Sequence, residues 1–302
     1  MIGSRAPAKG RAPGGWHETR RLRALAHDFS VASPDHELIA HLDRAFGALA
    51  IPDPIATSGQ PAVRYELRPT ADGRAALHRD GEVIERQRSM AGAVAMLLWH
   101  VNRRAVEDSS HLVRLHASGA ERDGHVLVLP GRIEAGKSTL VAGLVRRGWR
   151  YVTDEAIALD PDTLAVHPYP KPLAIDPGSW EVLADLNPGH PPGLAERLPK
   201  QWQVAPETIR ADAVSAGGQP RLVVFPSYEP GAATSVEPIS RADTLLELTR
   251  CAFEFAPERD LAVLGRLAAT SAGYRVTLSD LDAGCEAVES LWAGDATDRK
   301  GE

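Results

Sequence analysis

The stretch HVLVLPGRIEAGKSTLVAGLVRRGWRYVTDEAIAL, residues 125–159, decides how this chain folds. Its first part, HVLVLPG, is an apolar, β-branched run that predicts a strand buried on both faces. GRIEAGKST, residues 131–139, then fits the pattern G-x-x-x-x-G-K-[ST]. STLVAGLVRRGW predicts a helix, closed by Gly148 where a left-handed C-cap favours glycine. RYVTDEAIALD returns as one strand. The unit is therefore strand, tight turn, helix, strand, the parallel crossover from which nucleotide-binding sheets are built.

Each part of the turn answers a physical need. Gly131 and Gly136 let the backbone curl until its N–H groups face an anion, and the helix start adds a partial positive charge. Lys137 neutralises β and γ phosphates, and the Ser138 hydroxyl is a hard oxygen ligand for Mg²⁺. Gly131, Arg132, Glu134, Ala135, Gly136, Lys137, Ser138 and Thr139 are thus the candidate triphosphate-binding residues, with ATP and Mg²⁺ the expected cofactors. The bland alternative is a glycine-rich turn that happens to hold a lysine; the strand before it and the helix after it argue against that. Asp154 and Glu155 stand in or at the end of the next strand, where neighbours point to opposite faces unless the strand stops. An aspartate beside a transferring phosphoryl group accepts the proton of an incoming hydroxyl. Asp154 is the candidate for that role, and Glu155 joins Ser138 as a candidate metal ligand; the alternative is an acidic strand end in solvent. A GTPase is disfavoured: N-K-x-D is absent, and the only D-x-x-G after the loop is Asp298 to Gly301 in the terminal tail.

Upstream, LVRLHASGAE precedes a turn at Asp123-Gly124 and predicts the strand that carries His116. Before it lies a module of helix, strands and helix: HELIAHLDRAFGAL with Ser33 as its N-cap, VRYELRP, a hairpin turning at Asp80-Gly81, and AGAVAMLLWHVNRRAVED. Trp99 and His100 are expected to be packing residues of the last helix. Residues 1–30 show no periodicity and only Glu18 opposes the basic residues of the first 25, so they are expected to form a flexible basic tail. The sharper reading of that tail is a tether to an acidic partner or RNA.

Downstream, 10 of the 23 prolines lie between Pro161 and Pro206 and predict a loop-rich excursion without long helices or central strands. Lys171, held between two prolines, is a candidate for presenting charge to an acidic group of a substrate. Arg221, ahead of LVVFP, is a candidate phosphate contact, with a plain strand-edge charge as its alternative. RLVVFPSY, TSVEPIS and YRVTLSD predict strands, and RADTLLELTRCAFEF, ERDLAVLGRLAATS and LDAGCEAVESLW predict helices. The expected domains are 1–30, 31–108 and 109–295.

Composition bounds the rest. The 302 residues suffice for one large domain or two modest ones, with 43% apolar and 25% charged residues as in globular proteins. A net charge of −6 argues against a whole-protein grip on nucleic acid. Two cysteines form neither a disulfide framework nor a zinc site, which suits a reducing cytosol. No window of 18 uninterrupted apolar residues predicts a membrane span, and the N-terminus does not read as a secretory signal.

His116, HVLVLPG, GRIEAGKS and RRGWRYVTDE, in this order and close spacing over residues 111–160, resemble the kinase core of the HPr kinase/phosphorylase superfamily. The chain is similar in particular to the HPr-kinase-like proteins of actinobacteria, some of which accompany peptide-modification gene clusters. The resemblance implies an α/β P-loop kinase core like the C-terminal domain of HPr kinase, preceded by the small N-terminal α+β module. It implies His116 near the phosphates, Lys137 and Ser138 at phosphate and Mg²⁺, Asp154 as general base, and Glu155 in place of the family's second Asp. The loop residues Arg132, Ile133, Glu134 and Ala135 depart from the bifunctional enzymes, which turns the expectation away from phosphorolysis and from HPr as acceptor. The expected activity is ATP-dependent phosphoryl transfer to a hydroxyl of a protein, peptide or small molecule, by a chain that is a possible homo-oligomer. The competing expectation is a nucleotide-binding adaptor or slow ATPase in a peptide-maturation assembly.

Overall fold

The computed structural model describes residues 15–51 and 62–298, a mixed α/β protein with several sheets. The first sheet contains β1 (His17–Glu18), β2 (Leu22–Ala24), β3 (His27–Ser33), β4 (Val63–Pro69), β5 (Ala75–Arg79) and β6 (Glu82–Gln87), with β2 hairpinned onto β3. All its pairings are antiparallel except β3 with β4. That parallel pair is joined across α1 (His36–Ala45). Alternate strand residues Leu22, Phe29, Tyr65 and Leu77 form one core with Leu38 and Leu42 of α1 and Leu97 and Val101 of α2 (Met90–Asp108).

Residues 15–30 correct the expectation of a tail reaching residue 30. Leu22, Ala24 and Phe29 are fully buried. The counter-charges lie beyond the first 25 residues: Asp28 pairs with Arg21 at 2.7 Å and Arg23 at 2.6 Å, and Asp43 with Arg20 at 3.1 Å. The first 14 residues of that expected tail lie outside the described residues. The N-cap of α1 is Asp35, whose carboxylate accepts from the Leu38 N–H, while the Ser33 hydroxyl donates instead to the Leu67 carbonyl.

The second sheet holds β7 (Val113–Arg122), β8 (His125–Pro130), β9 (Arg150–Thr153), β10 (Ala156–Leu159), β11 (Val166–His167), β14 (Gln219–Tyr228), β15 (Ser235–Pro238) and β16 (Ala272–Leu278). Its order is β11-β10-β7-β8-β14-β16-β15, with β9 also on β7. β8, β14 and β16 are parallel. Leu127 and Leu129 of β8 face α3 (Lys137–Arg146) and α8 (Leu281–Asp298), whereas Val126 and Val128 face the core of α6 (Arg241–Cys251) and α7 (Pro257–Thr270). Strand alternation thus feeds two cores from one apolar run. α3 and α8 approach so closely that a Cβ on Gly143 would lie 2.7 Å from the Cys285 sulfur.

Two expectations for the central unit change. β8 and β9 run in the same direction but β7 lies between them, because both pair antiparallel to it. RYVTDEAIALD is two strands, interrupted at Asp154-Glu155. The interruption keeps count: Gly119 pairs with Thr153 and His116 with Ala156, two residues standing between on each side.

The proline-rich excursion carries only short elements: the two-stranded sheet of β12 (Leu173–Ile175) and β13 (Trp202–Val204), and the single-turn helices α4 (Pro192–Ala195) and α5 (Pro206–Ile209). It fastens the two sheets together. Arg197 pairs with Asp35 and Glu37 at the start of α1, and Tyr169, Leu194 and Leu198 enter the first core. Among the described residues no helix is long and apolar enough to cross a membrane.

Candidate functional site

Helix starts leave backbone N–H groups without partners. The chain caps α1, α2 and α6 with the side chains of Asp35, Ser89 and Ser240. α3 begins instead at Gly136, with φ +85°, no capping side chain and no acidic residue in its first turn. Among the described helices of ten or more residues it alone has neither. Just before it, Glu134 holds φ +68°, a conformation that costs a non-glycine residue about 1–2 kcal/mol. The backbone of 131–136 is thereby turned back on itself over an open helix start.

Lys137 is only 6% exposed. Its ammonium donates to the carbonyls of Gly131 (2.8 Å) and Arg132 (2.6 Å) and stands 3.4 Å from His116 Nε2. Among the described residues no carboxylate lies within salt-bridge distance of it. Burial therefore holds its pKa below that of an ordinary lysine. Burial, and then the Lys137 charge, lower His116 likewise. A neutral imidazole that accepts at Nε2 from the ammonium agrees with both.

Lys137 borders a cleft of about 370 Å³, a volume in the range of small-molecule sites. Glu134, Ala135, Gly136, Lys137, Ser138 and Thr139 form one wall. Ile175, Asp176 and Val182 of the proline-rich excursion form the second, and Tyr228, Leu278 and Leu281 the third. The Thr139 and Ser179 hydroxyls, 2.6 Å apart, tie the first wall to the second.

Asp154 and Glu155 lie on the interrupted edge of the second sheet. Asp154 is buried, and both its oxygens are engaged: one accepts from Tyr151 Oη and Lys171 Nζ, each at 2.7 Å, and the other from the Ala174 N–H at 2.8 Å. Glu155 accepts from Asn102 Nδ2 at 3.2 Å and lies 3.9 Å from Lys171 Nζ. Tyr169 Oη donates to the other end of Asn102 at 2.7 Å, so α2, which packs on the first sheet, orients Glu155. Burial raises the Glu155 pKa. Burial works against charge on Lys171 as well, but Asp154 and then Glu155 outweigh it and hold the ammonium above the ordinary lysine value.

The structure brings His116, Lys137, Asp154, Glu155 and Lys171 into one neighbourhood, because β7, α3, β10 and the excursion converge at the loop end of β8. Two expectations change. Lys171 meets acidic groups of its own chain, with its charge spent on Asp154. Arg221 lies at the opposite end of the sheet, where it donates to Asp295 at 2.7 Å and to the Trp292 carbonyl at 2.6 Å, tying β14 to α8. Arg132 is exposed, and only its carbonyl meets Lys137. Ser138 and Glu155 border different cavities. Among the described residues no group of three or more His, Cys, Asp or Glu could hold a metal ion.

Sequence reading missed Asn102, Asp176 and Tyr228, which sit in the site through tertiary folding alone. It also took Trp99 for a packing residue, yet Trp99 is 48% exposed and borders the Glu155 cavity. The available signal was its position on α2, three residues ahead of Asn102 on the same helix face.

No family model matches the chain, and no curated protein matches it. Among solved structures it is similar to the Hpr(Ser) kinase/phosphatase from Coxiella burnetii, at 14% sequence identity and a TM-score of 0.33, over 62% of this chain and 98% of that one.

Proposed function

We propose that the protein is a nucleoside-triphosphate-dependent phosphotransferase that moves a γ-phosphoryl group onto a hydroxyl, with ATP as donor. The observation that carries this is Lys137, a buried ammonium held by two carbonyls and a neutral imidazole, with no carboxylate at salt-bridge distance among the described residues, at the uncapped start of α3. A buried charge without an ionic partner is costly, and the phosphates of a nucleotide supply that partner. The order of His116, the 131–139 loop and the Asp154–Glu155 pair supports membership of the HPr kinase/phosphorylase superfamily, as an HPr-kinase-like protein.

In this reading the triphosphate lies along Glu134–Thr139, with Lys137 and the N–H groups of the first turn on its phosphates. Ile175, Val182, Leu278 and Leu281 offer apolar surface to the base. Magnesium takes most of its ligands from phosphate oxygens and water, so a donor set of the Ser138 hydroxyl with the Asp176 carboxylate on the facing wall fits it; Glu155 borders the other cavity. When bound, the ion offsets negative charge on the phosphates. His116, kept neutral, stays within hydrogen-bond reach of the lysine and holds its ammonium in place. Of the acidic pair, Asp154 has both oxygens engaged, which leaves Glu155 to take the acceptor's proton.

Calorimetry with MgATP tests the reading. Wild-type protein is expected to bind stoichiometrically and Lys137→Met to lose about tenfold or more in affinity, the worth of a charge-assisted contact. Absence of binding by wild type ends the proposal. The second reading, a nucleotide-binding adaptor with slow hydrolysis, is favoured by one observation: both Asp154 oxygens are already engaged by groups of its own chain. With γ-labelled ATP and hydroxyl acceptors, label on an acceptor selects the transferase, and phosphate release alone selects the adaptor.

A further inference from the structure

The sheet edge that carries Glu155 borders a second cavity, of about 500 Å³, between α2 and the segments around Gln201 and Phe253. Leu98, Trp99, Val106 and Phe253 give it apolar walls, and Asn102 and Gln201 give it amides. Its charged rim is already matched. Arg103 pairs with Glu107 at 2.6 Å and lies over the Trp99 ring at 5.3 Å, and Glu254 pairs with Arg114 at 3.0 Å. The Asn102 and Gln201 amides have partners within the chain as well, so the surface left for recognition is mainly aromatic and aliphatic.

The cavity approaches the lysine that lines the cleft, by way of Phe253 and His116, although neither His116 nor Lys137 lines the cavity itself. The Phe253 ring stands edge-on to His116 at 5.8 Å, and His116 Nε2 is 3.4 Å from Lys137 Nζ. Lys137 itself lines the cleft. The two hollows therefore approach each other across His116, Lys137 and Glu155.

We propose that this second cavity binds the phosphoryl acceptor, an uncharged hydroxyl-bearing group with an apolar body, and that Glu155 takes its proton. The proposal rests on the nucleotide reading above. Ligand sites favour junctions between modules, and here α2 of the first module forms the selecting wall. In the step, the acceptor oxygen bonds to the γ-phosphorus while the bond from that phosphorus to the β–γ bridging oxygen breaks. The nucleoside diphosphate leaves with the electron pair, and the hydroxyl proton passes to the Glu155 carboxylate. Asp154, with both oxygens engaged, holds Lys171. Burial that raises the Glu155 pKa makes its carboxylate a stronger proton acceptor than an exposed glutamate.

A tethered acceptor tests this without knowledge of the natural one. Trp99→Cys puts a thiol in the cavity, to which mercaptohexanol or a cysteinyl-serine amide is joined by disulfide exchange. After addition of MgATP, peptide mapping by mass spectrometry locates any phosphate and separates the tether from Cys251. The tether is expected to gain one phosphoryl group, removable by phosphatase, while an Arg86→Cys control on exposed β6 gains none. Gain on the alkyl tether alone marks a small alcohol as the acceptor; gain on the seryl tether marks a peptide hydroxyl. No gain on either, with MgATP still bound, overturns the proposal and leaves the nucleotide reading standing. Failure of the untethered protein to bind MgATP removes both. Glu155→Gln in the tethered protein is expected to slow the gain by about 10²–10⁴-fold, and an undiminished rate overturns its role as proton acceptor.

Discussion

Lys137 and Lys171 are both buried, at 6% and 4% exposure, and the chain treats their charges in opposite ways. Lys171 has Asp154 at 2.7 Å and Glu155 at 3.9 Å, and its ammonium is held above the ordinary lysine value. Lys137 has two carbonyls and a neutral imidazole, and its ammonium is held below that value. Dipoles solvate a charge but do not cancel it. Lys171 is thus complete within the fold, whereas Lys137 gains most from an anion brought from outside. Sequence alone ranks both as candidate charge donors to a substrate; only their partners separate them.

The same substitution at both positions strains this comparison hardest. Lys171→Met leaves the Asp154 carboxylate buried without its cation and is expected to cost about 3–5 kcal/mol in urea unfolding. Lys137→Met is expected to leave stability within about 1 kcal/mol of wild type, since no buried acid loses a partner, while MgATP hydrolysis falls by about 10²–10³. Equal destabilisation by the two would break the distinction.

Next in size is the response to alkali. Loss of the Lys137 proton removes the charge that faces the phosphates, and its depressed pKa brings that loss below the range of an ordinary lysine. MgATP affinity is expected to fall about tenfold as pH rises through that point, and calorimetry across neutral to alkaline pH reads it. The sign for stability is opposite. The native state binds this proton less tightly than the unfolded chain, so Lys137 burdens the fold at neutral pH and relieves it as pH rises. Lys171 runs the other way, its native pKa being raised, and its contribution is lost only in stronger alkali.

The smallest effect sharpens the acidic side. Glu155 has a raised native pKa, so its contribution to stability is greatest in acid, below the unfolded glutamate value, and declines as pH rises through the native one. Glu155→Gln is expected to shift neutral-pH stability by no more than about 1 kcal/mol, and thermal unfolding at acid and neutral pH measures it. A loss as large as that of Lys171→Met would make Glu155, and not Asp154, the principal partner of Lys171.

What could be read from the sequence followed local chemistry. The strand, glycine-flanked loop and helix of 126–146 carry their own signals in adjacent residues, and so do the Asp80-Gly81 hairpin and the proline-rich excursion. Long-range partners were invisible. Arg21 and Arg23 looked unopposed because Asp28 lay past the window considered, and nothing near Lys171 in the chain says that Asp154, 17 positions earlier, will face it. The interruption at Asp154-Glu155 was hidden for a similar reason: RYVTDEAIALD carries no glycine or proline to mark a break, and only pairing with β7 shows where the ladder lapses.

That lapse preserves the ladder's count, with two residues opposite two. Because side chains on a strand alternate, one residue more or fewer between Thr153 and Ala156 would turn all of β10 over and send Ile157 and Leu159 out of their core. The acidic pair is therefore fixed in number, and Asp154 is held in kind as well by its ties to Tyr151, Lys171 and Ala174. A substitution at 155 changes the proton chemistry with the ladder intact, whereas an insertion or deletion there would have to be absorbed as an irregularity, as β9 already absorbs one where Gly119 pairs with Thr153 and Ala120 with Tyr151.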